Sequence, residues 1–382
     1  MKQELENQLN EIYEKISEEL NVPKSLYDKF TNSYETLGEY LSNNIENYDI
    51  RVFPQGSMRL GTTIKPISEH DDYDLDAVCE VFDFNDDAQK LKHLVGDTLK
   101  QSIRYSKLLK REEGTRCWTL EYSDETNFHM DILPSTPTTI NTTQLKITHK
   151  DKNTLQYTYK TSDPEKYALW FENKQKLEKE KIMKRMLEIY GSVESVPQFK
   201  TRTTLQKTIQ LLKRHRDIMF SGENNESKPI SIIITTLVAQ VYTGEENIIQ
   251  LIEKLCNEYI NFIEIDDNQN YVIKNPVNEN ENFADKWVQH PDRKVAFFNW
   301  INTVKQNLMV NNFLTINSLE NKVLILKKAF GDTIVNSVFE NQGKESKELS
   351  KNNNLFIDNS KNGNLTQTRT TIPIKNHTFY EE

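Results

Sequence analysis

Two aspartates spaced by one residue, Asp74-Leu75-Asp76, run straight into the apolar stretch Ala77-Val78-Cys79. On an extended strand, side chains at i and i+2 share a face. Asp74 and Asp76 therefore project together, while Leu75, Ala77 and Cys79 face a core. A second run, Phe128 to Leu133, repeats the logic: Phe128, Met130 and Ile132 form the buried row, and Asp131 stands on the opposite face beside His129. A chain that keeps both patterns must build a sheet with one dry face and one acidic face. Asp72 and Asp74 share the same spacing, but the apolar continuation starts directly after Asp76, which selects Asp74 and Asp76.

An Asp-x-Asp pair by itself is usually a solvated strand or turn, and a lone Gly-Ser means less still. Here they are ordered: Phe53-Pro54-Gln55-Gly56-Ser57 precedes the pair and Asp131 follows it. Three carboxylates drawn together repel one another unless hard cations intervene. Two Mg²⁺, or Mn²⁺ in their place, would relieve that repulsion and could align a hydroxyl with a leaving pyrophosphate. Gly56 lets the backbone approach a triphosphate, and the Ser57 hydroxyl can donate to it. Arg59 and Lys65 are near enough in sequence to help. No Gly-x-x-x-x-Gly-Lys-Ser/Thr loop is present, which disfavours a P-loop NTPase.

The remaining texture is helical. Leu5, Leu9, Ile12, Ile16 and Leu20 predict a first helix, and Leu26, Phe30, Tyr34, Leu37 and Leu41 a second over about 24–42. A helix is expected over about 88–105 within a mixed α/β region. After Asp163-Pro164, helices are expected over about 165–190, 203–220, 229–242, 245–262, 293–309 and 318–330, with a break at 191–197. Residues 340–368 are rich in Asn, Lys and Ser and read as flexible. Apolar residues at 371–374 and 379–380 would dock somewhere. In the helix over 203–220, Leu205, Ile209, Leu212 and Phe220 form an apolar stripe beside a polar row of Gln206, Gln210, Lys213 and Asp217.

Net charge is −9 over 382 residues, the opposite of the basic surface that phosphate neutralisation demands of a nucleic-acid binder. A small nucleotide suits this balance better. Three widely spaced cysteines, Cys79, Cys117 and Cys256, argue against a disulfide framework or a structural zinc site. With no membrane-spanning run and no signal-peptide core, a cytoplasmic protein is expected.

The motifs resemble the nucleotidyltransferase core of the bacterial cyclic-oligonucleotide synthases, SMODS-type relatives of cyclic GMP-AMP synthase and oligoadenylate synthase in the polymerase-β-like superfamily. The resemblance rests on Gln55 to Thr62, Tyr73 to Glu80 and Phe128 to Pro134, and continues through Leu205 to Asp217, Pro229 to Leu237 and Glu281 to Trp287. It implies an α+β fold with two lobes and a central cleft. A polymerase-β-like core with a mixed sheet would span residues 51–160 and an α-helical lobe 161–335. N-terminal helices over 1–50 would brace both, and a flexible polar tail would occupy 336–382. Asp74, Asp76 and Asp131 would be catalytic and hold the metal ions, with Asp131 favouring deprotonation of the attacking hydroxyl. Gln55, Gly56, Ser57, Lys213 and Ser231 would bind nucleotide. Read from composition alone, Lys213-Arg214-His215-Arg216 is a solvated helix face and Ser231 an ordinary first-turn serine.

NTPs, ATP among them, would be the substrates, and a cyclic di- or trinucleotide second messenger the product. The family's activity is typically tied to antiphage signalling, which implies regulatory or effector partner proteins. The zinc-bearing insertion with which the animal enzyme reads DNA has no counterpart, so activation by DNA is not expected. A linear oligoadenylate synthase or RNA-tailing enzyme is the alternative reading, and a nucleotide-sensing scaffold without turnover is the rival from another class.

Overall fold

The structure is a computed structural model. It describes residues 2–68, 71–122, 128–139, 143–190, 201–222 and 225–351, and the short strands at 356–358, 364–366 and 372–373. The expected break at 191–197 and the apolar pair at 379–380 lie outside the described residues.

Helices α1 (Lys2–Glu19) and α2 (Lys24–Asn44) open the chain. The sheet region then runs β1 (Ile50–Gln55), α3 (Gly56–Leu60), β2 (Tyr73–Val81), α4 (Ala88–Gln101), α5 (Tyr105–Leu108), β3 (Trp118–Tyr122), β4 (Phe128–Pro137), β5 (Leu145–Lys150) and β6 (Tyr157–Ser162). Next come α6 (Pro164–Tyr190), α7 (Thr204–Met219), α8 (Ser231–Val241) and α9 (Ile248–Glu258). Two small hairpins follow, β7 (Glu264–Ile265) with β8 (Tyr271–Val272), and β9 (Lys274–Asn275) with β10 (Asn278–Asn282). The last helices are α10 (Pro291–Leu308), α11 (Val310–Leu314), α12 (Leu319–Phe330) and α13 (Asp332–Lys351).

The main sheet has the order β1-β2-β4-β5-β6, with β3 on the first half of β4. Only β2 and β4 run parallel; the other pairs are antiparallel. The sheet is therefore mixed, and one of its faces is sealed. Leu75, Ala77, Cys79, Met130 and Ile132 pack there against α2 and α4. Helix α2 puts Leu26, Phe30, Leu37 and Leu41 into this core, whereas α1 sends Leu9, Tyr13 and Ile16, with Leu20 just after it, into the separate core of the helical region. The two N-terminal helices thus serve different lobes.

The helical core gathers residues of α7 to α13, with α7 packed against α1, α8, α9, α10 and α12. Local chemistry sets the helix ends. Thr203 and Gln206 close a reciprocal capping box on α7, Asp87 caps α4, Asn247 caps α9 and Ser318 caps α12.

Three expectations need correction. The helix expected through Tyr105 stops at Gln101, because Ser102 turns extended at ψ 131°. The helix expected through Phe262 tightens into a 3-10 turn after Glu258. The tail expected from residue 336 begins inside α13, which stays helical through Lys351 because Val335 and Val338 are buried in the helical core. Beyond it, Phe356–Asp358 pairs with Asn364–Thr366 and with Ile372–Pro373 in a small antiparallel sheet.

His215 on α7 is 2% exposed, and burial pushes its imidazole down to about 4. Its Nε2 lies 3.3 Å from Asn307 Nδ2, and no partner meets Nδ1. The unfolded chain takes up this proton at an ordinary histidine pKa near ~6.5, and the folded chain does not. Stability should be complete above that value and fall as pH drops toward about 4. His215→Gln is expected to flatten the fall of Tm across that interval, measured by thermal unfolding against pH.

Candidate active site

The parallel register of β2 and β4 sets Asp74 beside His129 and Asp76 beside Asp131. Gln55 of β1 faces Asp76 from one side, and Thr119 of β3 faces Asp131 from the other. Neighbouring strands lie about 4.8 Å apart. The three sequence-predicted aspartates are thus brought onto one open face, above the apolar row that anchors their strands. They line a cavity of about 790 Å³ with Gly56, Ser57, Lys213 and Ser231.

Each carboxylate is held differently. Thr119 Oγ1 donates to Asp131 Oδ1 at 2.5 Å. Asp74 Oδ1 lies 2.8 Å from His129 Nε2. Enclosure by the cleft walls raises the Asp74 carboxyl, but the bond to His129, the imidazole charge, Lys213 and Lys228 outweigh it and hold the group below its ordinary value. His129 is raised to about 8, first by that bond. Among the described residues the Asp76 carboxylate has no such partner. Burial, then the charges of Asp131 and Asp74, push it up to about 6.

These residues fit a hard divalent cation. The donors are all carboxylate oxygens, and burial, then the charges of Asp131 and Asp74, raise the Asp76 carboxyl, a cost that a hard cation would relieve. Among the described residues no three ligating side chains already surround one point. Asp74 is tied to β4 by His129 instead, as expected of charges that repel until an ion draws them together.

The Gly-Ser turn is built against this acid cluster. Gly56 has φ +59°, and a Cβ there would run into Asp76 Oδ2. Ser57 Oγ is 3.0 Å from Thr63 Oγ1, and the Ser57 carbonyl accepts from the Thr62 N–H at 2.9 Å. The strand leaves its last residue, Gln55, on a second cavity of about 830 Å³, which also takes in Arg59, Arg116, Glu281 and Lys286. Gly56, Leu60, Asp76 and Ile232 line both cavities, so the two meet at the Asp76 carboxylate. Arg59 is committed to Glu172 of α6 at 2.5 Å, whereas Lys65 lines the first cavity.

The polar row of α7 points at this region. Gln206 Nε2 donates to the Leu60 carbonyl at 2.8 Å, and Gln210 Nε2 to that of Thr63 at 2.8 Å. Lys213 Nζ donates to that of Thr62 at 3.0 Å. Burial lowers the Lys213 ammonium to about 8, with help from Arg216. The Lys213–Arg216 run is therefore not a solvated face: all four residues are buried.

Two cations of the wall, Arg216 and Lys228, escaped the sequence reading as site residues. Arg216 Nη1 donates to Ser231 Oγ at 2.8 Å, and its Nε and Nη2 hold Asp217 at 2.9 and 2.7 Å. Lys228 lies 3.4 Å from Asp217. Ser231 is thus a lining residue already held by Arg216. Thr119 was missed as well; its signal was a threonine alternating out of phase with Trp118 and Leu120, on the face Asp131 shares.

This arrangement, a mixed sheet with its acidic face turned toward a helical lobe, also occurs in known proteins. Residues 8–175 match the family description "Second Messenger Oligonucleotide or Dinucleotide Synthetase domain" (SMODS). A c-di-GMP synthase of Roseivirga ehrenbergii is 29% identical over 333 residues, covering 85% of each chain. The structure of the Bradyrhizobium diazoefficiens CD-NTase CdnG in complex with GTP has TM-score 0.68 at 21% identity, covering 88% of this chain and 99% of that one. That of E. coli MS115-1 CdnC with ATP has TM-score 0.60 at 14% identity, covering 85% and 97%. The chain is thus similar to the SMODS domain over residues 8–175 and to a cyclic-dinucleotide synthase over most of its length. Among the described residues no helix is long and apolar enough to cross a membrane.

Gly56→Ala should cost about 1–2 kcal/mol of backbone strain at a positive φ and push Asp76 aside. The expected result is a Tm lowered by a few degrees with pyrophosphate release reduced at least about 100-fold. Pyrophosphate release within a few-fold of wild type would show that the close approach of Gly56 to Asp76 is dispensable.

Proposed function

We propose that this protein joins two NTPs, GTP among them, into a cyclic dinucleotide second messenger. The observation that carries the reading is the sharing of Asp76 and Gly56 by two adjoining cavities, each of nucleotide size. One nucleotide would place its triphosphate against Gly56, Ser57 and Lys213. The other would sit in the chamber of Gln55 and Glu281, with its ribose hydroxyl toward the shared carboxylate. Likeness to the c-di-GMP synthase of R. ehrenbergii supports guanine as a base that is accepted.

Asp74, Asp76 and Asp131 would hold two divalent cations, Mg²⁺ by the chemistry of the donors, and these would supply charge neutralisation at the attacking and leaving oxygens. The residues of the chain do the positioning. Thr119 fixes the rotamer of Asp131, so that this carboxylate takes the proton of the attacking hydroxyl. The oxygen forms a bond to the α-phosphorus as the bond to the bridging oxygen breaks, and pyrophosphate departs with the electron pair. Lys213 and Arg216 balance charge on the departing phosphates from the helical side. The linear product would turn round and offer its second hydroxyl to its own triphosphate, and a second pyrophosphate would leave. Antiphage signalling is the role this chemistry would serve, with an effector protein as the reader of the product.

Purified full chain incubated with all four NTPs and Mg²⁺, treated with phosphatase and examined by mass spectrometry, should yield a phosphatase-resistant cyclic dinucleotide that contains guanine. Products that lose terminal phosphate would establish a linear synthase instead. Asp74→Ala with Asp76→Ala should abolish product while leaving the chain folded without metal, because the repulsion relieved at Asp76 offsets the lost pairing of Asp74 with His129. Synthesis by that double variant would refute the assignment of the site.

A further inference from the structure

The second cavity, of about 830 Å³, holds a carboxylate and a guanidinium that the chemistry at Asp76 does not use. Glu281 of β10 and Arg116, which precedes β3, both line it. The Arg116 charge reaches Glu281, yet among the described residues neither side chain has an ion-pair partner. Opposite charges that face one chamber without meeting leave room for a polar group between them.

The carboxylate is held in one orientation. Asn275 Nδ2 donates to Glu281 Oε2 at 2.8 Å. Asn275 is itself 3% exposed, and its Oδ1 accepts from the Val277 N–H at 3.0 Å, so the amide nitrogen is the end that faces Glu281. Glu281 Oε1 takes no donor among the described residues. The acids nearest to it are engaged elsewhere: Asp285 faces Lys160 at 3.9 Å, and Asp163 accepts from Thr143 and from the Lys166 N–H. Burial raises the Glu281 carboxyl above its ordinary value, the mark of a charge short of donors. A ligand that brings donors to Oε1 would offset that cost.

An ionised carboxylate accepts and cannot donate. The Watson–Crick edge of guanine offers it two adjacent donors, N1–H and the N2 amine, followed by the O6 acceptor. Adenine and cytosine carry a ring acceptor beside one exocyclic donor, which sets a lone pair against the carboxylate; uracil places one donor between two acceptors. We infer that Glu281, oriented by Asn275, selects guanine in the second chamber, accepting from N1–H and the N2 amine while Arg116 donates to O6. Guanine is then the base of the nucleotide whose hydroxyl attacks. That consequence rests on the proposed synthase activity, whereas binding of the base does not.

Calorimetric titration of the full chain with GMP, IMP and AMP, above neutral pH and without Mg²⁺, separates binding from turnover, since a monophosphate has no pyrophosphate to release. Wild type should bind GMP at least about tenfold more tightly than IMP, which lacks only the N2 amine, and at least about 100-fold more tightly than AMP. In Glu281→Gln, Asn275 would hold the amide oxygen and turn the amide nitrogen toward the base, so GMP and AMP should bind within about threefold of each other. Asn275→Ala should shrink the same preference, and melting curves verify that both variants fold. Equal binding of GMP and IMP by wild type, no binding of GMP, or an unchanged ratio of GMP to AMP affinity in Glu281→Gln would overturn the selection. Loss of affinity for both nucleotides alike would leave that ratio unchanged and mark Glu281 as structural. With all four NTPs and Mg²⁺, Glu281→Gln should admit adenine into the product at the expense of guanine. An unchanged product would overturn the role of Glu281 and leave the synthase reading standing. A chain that discriminates GMP from AMP through Glu281 but makes no product would refute the synthase reading and leave the guanine site standing.

Discussion

The parallel pairing of β2 with β4 is the constraint on which the site depends. It places Asp76 and Asp131 side by side with no residue between them, a juxtaposition that like charges oppose at close range. What holds it is the other face of the same strands. Leu75, Ala77, Met130 and Ile132 are at most 1% exposed, and a slip of one residue would exchange this apolar row for the aspartates. Hydrophobic burial thus enforces an electrostatic arrangement that would not form by itself. Burial first, and then the residual repulsion from Asp131 and Asp74, push the Asp76 carboxyl up to about 6.

The second lobe contributes through one helix. Along α7, Gln206, Gln210, Lys213 and Arg214 reach carbonyls from Leu60 to Pro66, so the segment after the Gly-Ser turn hangs from a row of side-chain donors. Gln206 also completes the cap of its own helix, so the helix start and its grip on the other lobe share one side chain. The two halves of the cleft are coupled by these hydrogen bonds from side chains to main chain and by Leu60 and Ile64, which pack into the helical core.

How much of this could be read in the sequence divides along physical lines. Asp74, Asp76 and Asp131 were legible because period-two alternation reports which face a side chain takes, and that information is local. The two lobes followed from the family resemblance and from the change of texture after Pro164. The destination of the α7 polar row was not legible: Lys213 and Thr62 are 151 positions apart, and a buried cation reads in sequence like a solvated one. Strands β1, β5 and β6 were missed because each is only six residues long and carries few apolar residues to mark a buried face. Helix α13 was hidden by its Asn, Lys and Ser content, although Val335 and Val338 sit at the three-residue spacing of a helix that docks.

The central claim is that Asp76 and Asp131 act together as ligands because β2 and β4 pair in this register. Electron paramagnetic resonance of Mn²⁺ bound with a nonhydrolysable GTP analogue tests it most directly, in the wild type, in Asp76→Asn and in Asp131→Asn. The account predicts tight binding of Mn²⁺ in the wild type and a similar loss in each single variant. Retention of wild-type binding by Asp131→Asn would contradict it.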